Sequence, residues 1–246
     1  EADALLRQAE AWRQTEVRAA RSADAIVCVS DDEASFFRDA GAVDIRVVTP
    51  WLRQASLTDG ALDGRADIGL VAGWLAGDGS PNADALAWLM ADVMPHILAA
   101  MPWARVRVTG HLPASLRRFE GPHLRHEGFV ADLAGFYRQI RVAVAPLRFG
   151  AGVKLKTLEA IQHGVPIVAT PVGAEGLTSW AADVVDVHAA PEAFAAAVVA
   201  LLLDPGRWRT RRRAIEQALA SAPPQVTWGG LLAGPDAGEG DVVRTL

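Results

Sequence analysis

The residues able to do chemistry gather in one stretch, Arg148 to Leu177, which reads RFGAGVKLKTLEAIQHGVPIVATPVGAEGL. A glycine-rich turn, Gly150-Ala151-Gly152, runs into a helical pattern that stops at Gly164, a C′-type position, before Pro166. Glycines let a backbone approach a ligand closely, and the free N–H groups of a helix's first turn favour an anion, so a phosphate suits this turn. The sequence holds two lysines against twenty-two arginines, and both lysines, Lys154 and Lys156, open this helix. At about 100° per residue, Leu155, Leu158 and Ile161 form an apolar stripe that takes in Lys154, while Lys156 falls on the opposite side. A lysine on the inward arc is unfavourable to bury unless it meets an anion or lines a cleft. Lys154 is therefore expected to bind phosphate and Lys156 to be solvated. Glu159 lies at the border of the stripe; its two oxygens suit either a nearby backbone N–H or a pair of ligand hydroxyls, such as the vicinal diol of a ribose.

The elements that must position these residues alternate along the chain. Strands are expected at Ala25 to Val29, Ile45 to Thr49, Ile68 to Ala72, Arg105 to Thr109, Leu124 to Gly128, Val142 to Pro146, Pro166 to Thr170 and Asp183 to Val187, with helices between them. This is the pattern of a doubly wound, Rossmann-like parallel sheet of α/β class, in which ligands bind beyond the carboxyl ends of the strands. The glycine-rich turn falls at such an end. One helix is expected from about Asn82 to Met101, kinked or restarted at Pro95, and Asp31 or Asp32 is expected to cap the helix that runs through Arg38. Residues 1–50 carry two strands and two helices, too few for a core of their own, and read as the end of a neighbouring domain. Residues 51–66 read as a linker, 67–204 as a complete domain, and 205–246 as a basic helix and tail. The chain opens at Glu1 directly in a helical pattern and reads as part of a longer polypeptide.

Composition narrows the function. A net charge of −5 argues against general nucleic-acid binding, which needs a basic footprint. The longest apolar region is interrupted by Asp92, Pro95 and His96, short of the roughly 20 apolar residues of a membrane span. Cys28 reads as a small buried hydrophobe, and His111, His123, His126 and His163 lack zinc-ligand spacing, so neither metal nor cofactor is expected. The run Arg207 to Arg213 reads either as a solvated helix face or as a contact for anionic lipid; the eight tryptophans read first as packing residues, with Trp74, in the first loop, the one that could instead lie near a ligand.

The segment PLRFGAGVKLKTLEAIQHGVPIVATPVGAEGL closely resembles the donor-binding segment of group 1 (family-4-type) glycosyltransferases of GT-B fold. GWLAGDGSPNADALAWLMADVMPHI, VRVTG and EGFVADLAGFYRQIRVAVAPL match the units before it in the same order, and ADAIVCVSDDEASFF with IRVVTP resembles the end of the family's N-terminal domain. The resemblance covers about residues 15 to 205. It implies the C-terminal half of a GT-B architecture with part of its N-terminal domain. It further implies that Glu159 binds the nucleotide ribose, that Gly152, Val153 and Lys154 hold the diphosphate at the helix start, with Gly150 and Ala151 of the same turn in the substrate-binding site, and that Gly128, Phe129 and Val130 frame the base. Gly73 would sit beside the phosphates. Two departures stand out: Ala151 occupies the position where many members carry a second glutamate, and AGWLAGDGSPNADA lacks the Arg and Lys that many members carry there.

The implied activity is retaining transfer of a sugar from a nucleoside diphosphate sugar to a glycan or lipid-linked acceptor, with Lys154 stabilising the departing diphosphate. The missing N-terminal domain would complete the acceptor side, the fragment alone would transfer poorly, and the expected location is cytoplasmic, with peripheral membrane contact through Arg207 to Arg213. Two other readings stay open: a sugar-nucleotide epimerase, and a non-catalytic scaffolding or ligand-sensing module.

Overall fold

The computed structural model describes residues 2–48, 50, 57, 60–72, 77, 79–150, 152–177 and 179–222. These divide into two compact units, with the break between Trp51 and Leu52. In the first, α1 (Ala2–Ser22) precedes β1 (Ile26–Cys28), α2 (Asp31–Asp39) and β2 (Ile45–Val47), and the two strands pair in parallel. Ser30, not Asp31 or Asp32, caps α2: its hydroxyl accepts from the Glu33 N–H, and both aspartates sit in the first turn, where carboxylates favour the positive helix end.

The second unit holds β3 (Asp67–Val71), α3 (Pro81–Trp88), α4 (Met94–Ala100), β4 (Val106–Thr109), β5 (Leu124–Gly128), α5 (Leu133–Gln139), β6 (Ile140–Ala145), α6 (Leu155–Gln162), β7 (Ile167–Ala169), α7 (Ser179–Ala182), β8 (Val185–Val187), α8 (Pro191–Leu203) and α9 (Pro205–Ala220). Its six strands are all parallel, in the order β5-β4-β3-β6-β7-β8. A parallel sheet must be covered on both faces, and each face here has its own apolar cluster. One gathers Leu86, Leu89, Met94, Ile97, Phe194 and Leu201 of the α3, α4 and α8 side; the other gathers Phe136, Tyr137, Ile161 and Ile215 of the α5, α6 and α9 side. The strand order reverses between β3 and β6, the point where an open sheet leaves a crevice beyond its carboxyl edge.

Two local features depart from expectation. From Pro81 to Ala100 the chain stays helical without a break, by opening a π turn over Leu89–Val93 in which the Met94 N–H reaches the Leu89 carbonyl. The wider turn accommodates Pro95, whose ring would otherwise strike the preceding turn. The continuous helix is thus long and apolar enough by composition to cross a membrane, contrary to the interruption read from Asp92, Pro95 and His96, yet its apolar side chains lie in the core of this unit. The second departure is α9. It packs on α6, α7 and α8, and within the basic run Trp208 and Arg212 are buried while Arg211 pairs with Asp186. Of its arginines, only Arg207, Arg209 and Arg213 are exposed.

Arg212 does specific work at the helix that matters most. Gly164, at φ 70°, ends α6 as expected: its N–H reaches the Ile161 carbonyl, and the Val165 N–H reaches that of Ala160. The Arg212 guanidinium then donates to the carbonyls of His163 at 3.3 Å and Gly164 at 2.8 Å, a cation at the negative helix end. A Cβ at Gly164 would stand 2.4 Å from that guanidinium in a backbone region unfavourable to L-residues. Gly164→Ala is therefore expected to lower the unfolding free energy by about 1–3 kcal/mol, read as a lower urea midpoint at unchanged slope.

Candidate functional site

A cavity of about 570 Å³ opens where the strand order reverses. Val71 at the end of β3 forms one side, Pro81 and Asn82 at the start of α3 another, Leu133 at the start of α5 a third, and residues between Leu147 and Glu159, from the turn into α6, the rest. Ser80 caps α3 by accepting from the Ala83 N–H, which fixes the helix start beside the cavity. The Arg148 guanidinium grips the Asp84 carboxylate and so fastens the loop after β6 to α3. The turn itself needs glycine: Gly150 and Gly152 have φ of 122° and 75°.

Of the two lysines, Lys154 takes the inward place the helical projection gives it and Lys156 does not. Lys154, 8% exposed, turns back into its own turn. Its Nζ donates to the carbonyls of Gly152 at 2.6 Å and Gly150 at 3.2 Å and to Glu175 Oε2 at 3.0 Å. Lys156, expected in solvent, instead lines the cavity half-buried and donates to the Asn82 side-chain oxygen. For Lys156 the projection fails because α6 is enclosed on most of its circumference. Thr157, Leu158, Ala160, Ile161 and Gln162 are all buried, whereas Leu155, counted in the inward stripe, is 49% exposed at the cavity rim. Periodicity finds the single dry face of a surface helix; it does not separate core from cavity around an enclosed one.

Burial and the neighbouring charge of Lys154 push the Lys156 amine down to about 8. Glu159 projects one turn beyond Lys156 into the same cavity, its Oε2 accepting from the Tyr137 hydroxyl at 3.1 Å. Burial raises this carboxyl, and the bond from Tyr137 opposes the rise. Tyr137 is itself buried and stacks on the His163 ring at 4.7 Å, so its hydroxyl is held in place to orient Glu159. Sequence reading missed Tyr137 and Asn82, which belong to other helices and carry no spacing signal relative to α6.

The other expected residues are spread along the same carboxyl edge. Gly128 ends β5 at φ 68° and its carbonyl accepts from the Gly110 N–H at 2.7 Å; Phe129 is 90% exposed, and Val130 packs partly against the α5–α6 cluster. None of these three lines the cavity, whereas Gly150, Val153, Lys154 and Glu159 do, with Gly152 in the turn beside them. Gly73, Trp74 and Ala151 lie outside the described residues. No group of three or more potential metal-ligating side chains is assembled among the described residues.

Residues 70–204 match the family model described as glycosyl transferases group 1. The chain belongs to that family. No curated sequence matches it. Among solved structures, this group 1 glycosyl transferase chain is similar to sucrose-phosphate synthase from Thermosynechococcus elongatus, with 20% identity and a TM-score of 0.62 over 85% of this chain and 56% of that one. It is also similar to Anabaena HepE, solved in complex with UDP and glucose, with 16% identity and a TM-score of 0.61 over 85% and 62%. A third is the pneumococcal O-GlcNAc transferase GtfA, solved in complex with UDP and GlcNAc, with 17% identity and a TM-score of 0.60 over 84% and 44%. The chain thus spans between 44% and 62% of the length of these three proteins. At these identities the likeness establishes the fold: the doubly wound C-terminal half of a GT-B architecture together with part of the N-terminal one.

The lowered amine of Lys156 has a consequence for stability. In the unfolded chain it titrates near 10.5, so from about pH 8 to that value the unfolded state holds a proton that the folded state does not, and stability rises with pH. Below pH 8 the folded protein carries the full penalty of the charge. Lys156→Met should therefore raise Tm by a few degrees at pH 7, and the gain should shrink toward pH 10; paired thermal melts of variant and parent at the two pH values measure it.

Proposed function

We propose that this chain carries the donor side of a glycosyltransferase that moves a sugar, with retention, from a nucleoside diphosphate sugar to a glycan or lipid-linked acceptor. The observation that supports it most directly is the cavity at the reversal of strand order, which joins the positive end of α6 to an oriented carboxylate, Glu159, in one pocket. Glu159 accepts the ribose hydroxyls. The glycine turn brings the backbone N–H groups of Gly152 and Val153 within reach of the diphosphate; neither donates to an acceptor among the described residues. Gly128, Phe129 and Val130 lie along the same edge and frame the base.

Negative charge grows on the leaving diphosphate as the sugar–oxygen bond breaks, and the α6 first turn, already oriented, stabilises it without reorganising. The acceptor and the groups beside the reacting carbon belong to the other domain of the whole protein. Should the protein work at an anionic membrane, Arg207, Arg209 and Arg213 are the exposed part of the basic run that can meet it.

Calorimetry with UDP, ADP and GDP tests the donor site: one or more should bind the folded chain, and the absence of binding by all three would sink the reading. Glu159 makes a finer mark. The parent should prefer the bound nucleotide over its 2′,3′-dideoxy analogue, and Glu159→Ala should erase most of that preference, a loss on the order of tenfold.

A further inference from the structure

Resting on that donor-site reading, we propose a division of labour between the two lysines: Lys156 meets the diphosphate, and Lys154 is a strut that holds the glycine turn in shape. An ammonium has three N–H donors, and Lys154 has three acceptors: the carbonyls of Gly150 and Gly152 and the carboxylate of Glu175. Its donors are saturated and its charge is already matched. For Lys154 to reach a phosphate it would have to release an ion pair and both carbonyls of the turn that shapes the pocket. Glu175 is the resident anion at this position, and it keeps Lys154 off the ligand.

Lys156 is in the reverse condition. Its amine donates to Asn82 alone among the described residues, which leaves two N–H donors, and no carboxylate among those residues pairs with it. It lines the cavity, and the other titratable side chains there are Lys154, already paired, and Glu159. Asp84, two residues beyond Asn82 on α3, is held by Arg148. A half-buried cation without a counter-ion is costly to leave dry, and an incoming diphosphate supplies both the charge and the acceptors. The order along α6 fits as well. Lys156 and Glu159 are three residues apart, so they project from the same side, about 4.5 Å apart along the axis, with the cation nearer the glycine turn. A nucleotide whose ribose rests on Glu159 then extends its diphosphate past Lys156 toward the turn. Asn82 fixes the amine from α3 and makes Lys156 a link between the helices on either side of the crevice.

The test uses the 246-residue chain with UDP, ADP and GDP as probes, circular dichroism confirming the fold of each variant. Lys156→Met should weaken the nucleotide that binds the parent by tenfold or more, and Lys156→Arg should recover part of the loss. Lys154→Met should lower Tm, yet bind within about threefold of the parent when measured at a temperature where it is folded. Binding by Lys156→Met within threefold of the parent overturns the assignment, as does an equal loss in both methionine variants. If the parent binds none of the three nucleotides, the donor-site reading fails first and the assignment falls with it, an outcome distinct from parental binding that is indifferent to Lys156.

Discussion

Parallel strands must be joined by crossovers, and crossovers of a single hand can cover both faces of a sheet only if the winding reverses direction partway across it. In this chain the reversal falls between β3 and β6. The chain leaving β3 enters the helices of one face, the chain leaving β6 enters α6 on the other, and the space between them beyond the strand ends is filled by neither. Everything proposed for the site follows from that gap. The glycine turn borders it, Asn82 and Lys156 reach across it, and the Arg148–Asp84 pair ties the loop after β6 to α3 beside it.

Within this frame, arginine takes most of the structural cation roles. Buried Arg65 donates to the carbonyls of Tyr137 and Ile140 at the base of β6, Arg212 caps α6, and Arg107 bonds Glu127 and Gln139. Each uses a planar fork to satisfy more than one fixed oxygen. Lys154 occupies a place where three acceptors surround a point, two of them carbonyls of the same short turn, and a compact ammonium suits that arrangement better than a fork. The scarcity of lysine in the sequence is thus a clue to geometry as much as to ligand.

Much of the architecture is legible in the sequence because parallel strands, dry on both faces, appear as short β-branched runs: IVCV, IGLV, VAVA and PIVAT all lie on or beside strands of the structure. Gly164 was equally readable, since a left-handed helix end admits few other residues. What was not readable depends on partners distant in sequence. Whether Lys156 meets water or Asn82 is decided by α3, more than seventy residues away. The same holds for Glu159, whose orientation rests on Tyr137 of α5, and for the basic run of α9, two of whose five arginines are consumed, Arg211 by Asp186 and Arg212 by two carbonyls at the end of α6. Pattern locates helices; the neighbours decide which of their charges are available.

The reach of α9 bears on how this fold can be taken apart. The match to the family stops at residue 204, but Trp208 gives its indole N–H to the Arg141 carbonyl at the root of β6, and Ile215 completes the cluster behind α6. A gene fragment trimmed to the family boundary would keep every residue proposed to touch the nucleotide. It would nonetheless strip the sheet of part of one wall and leave the last carbonyls of α6 facing an empty groove. The piece that recurs across relatives and the piece that can stand alone are therefore different lengths, and recombination that joins such halves must carry the trailing helix along with the sheet it covers.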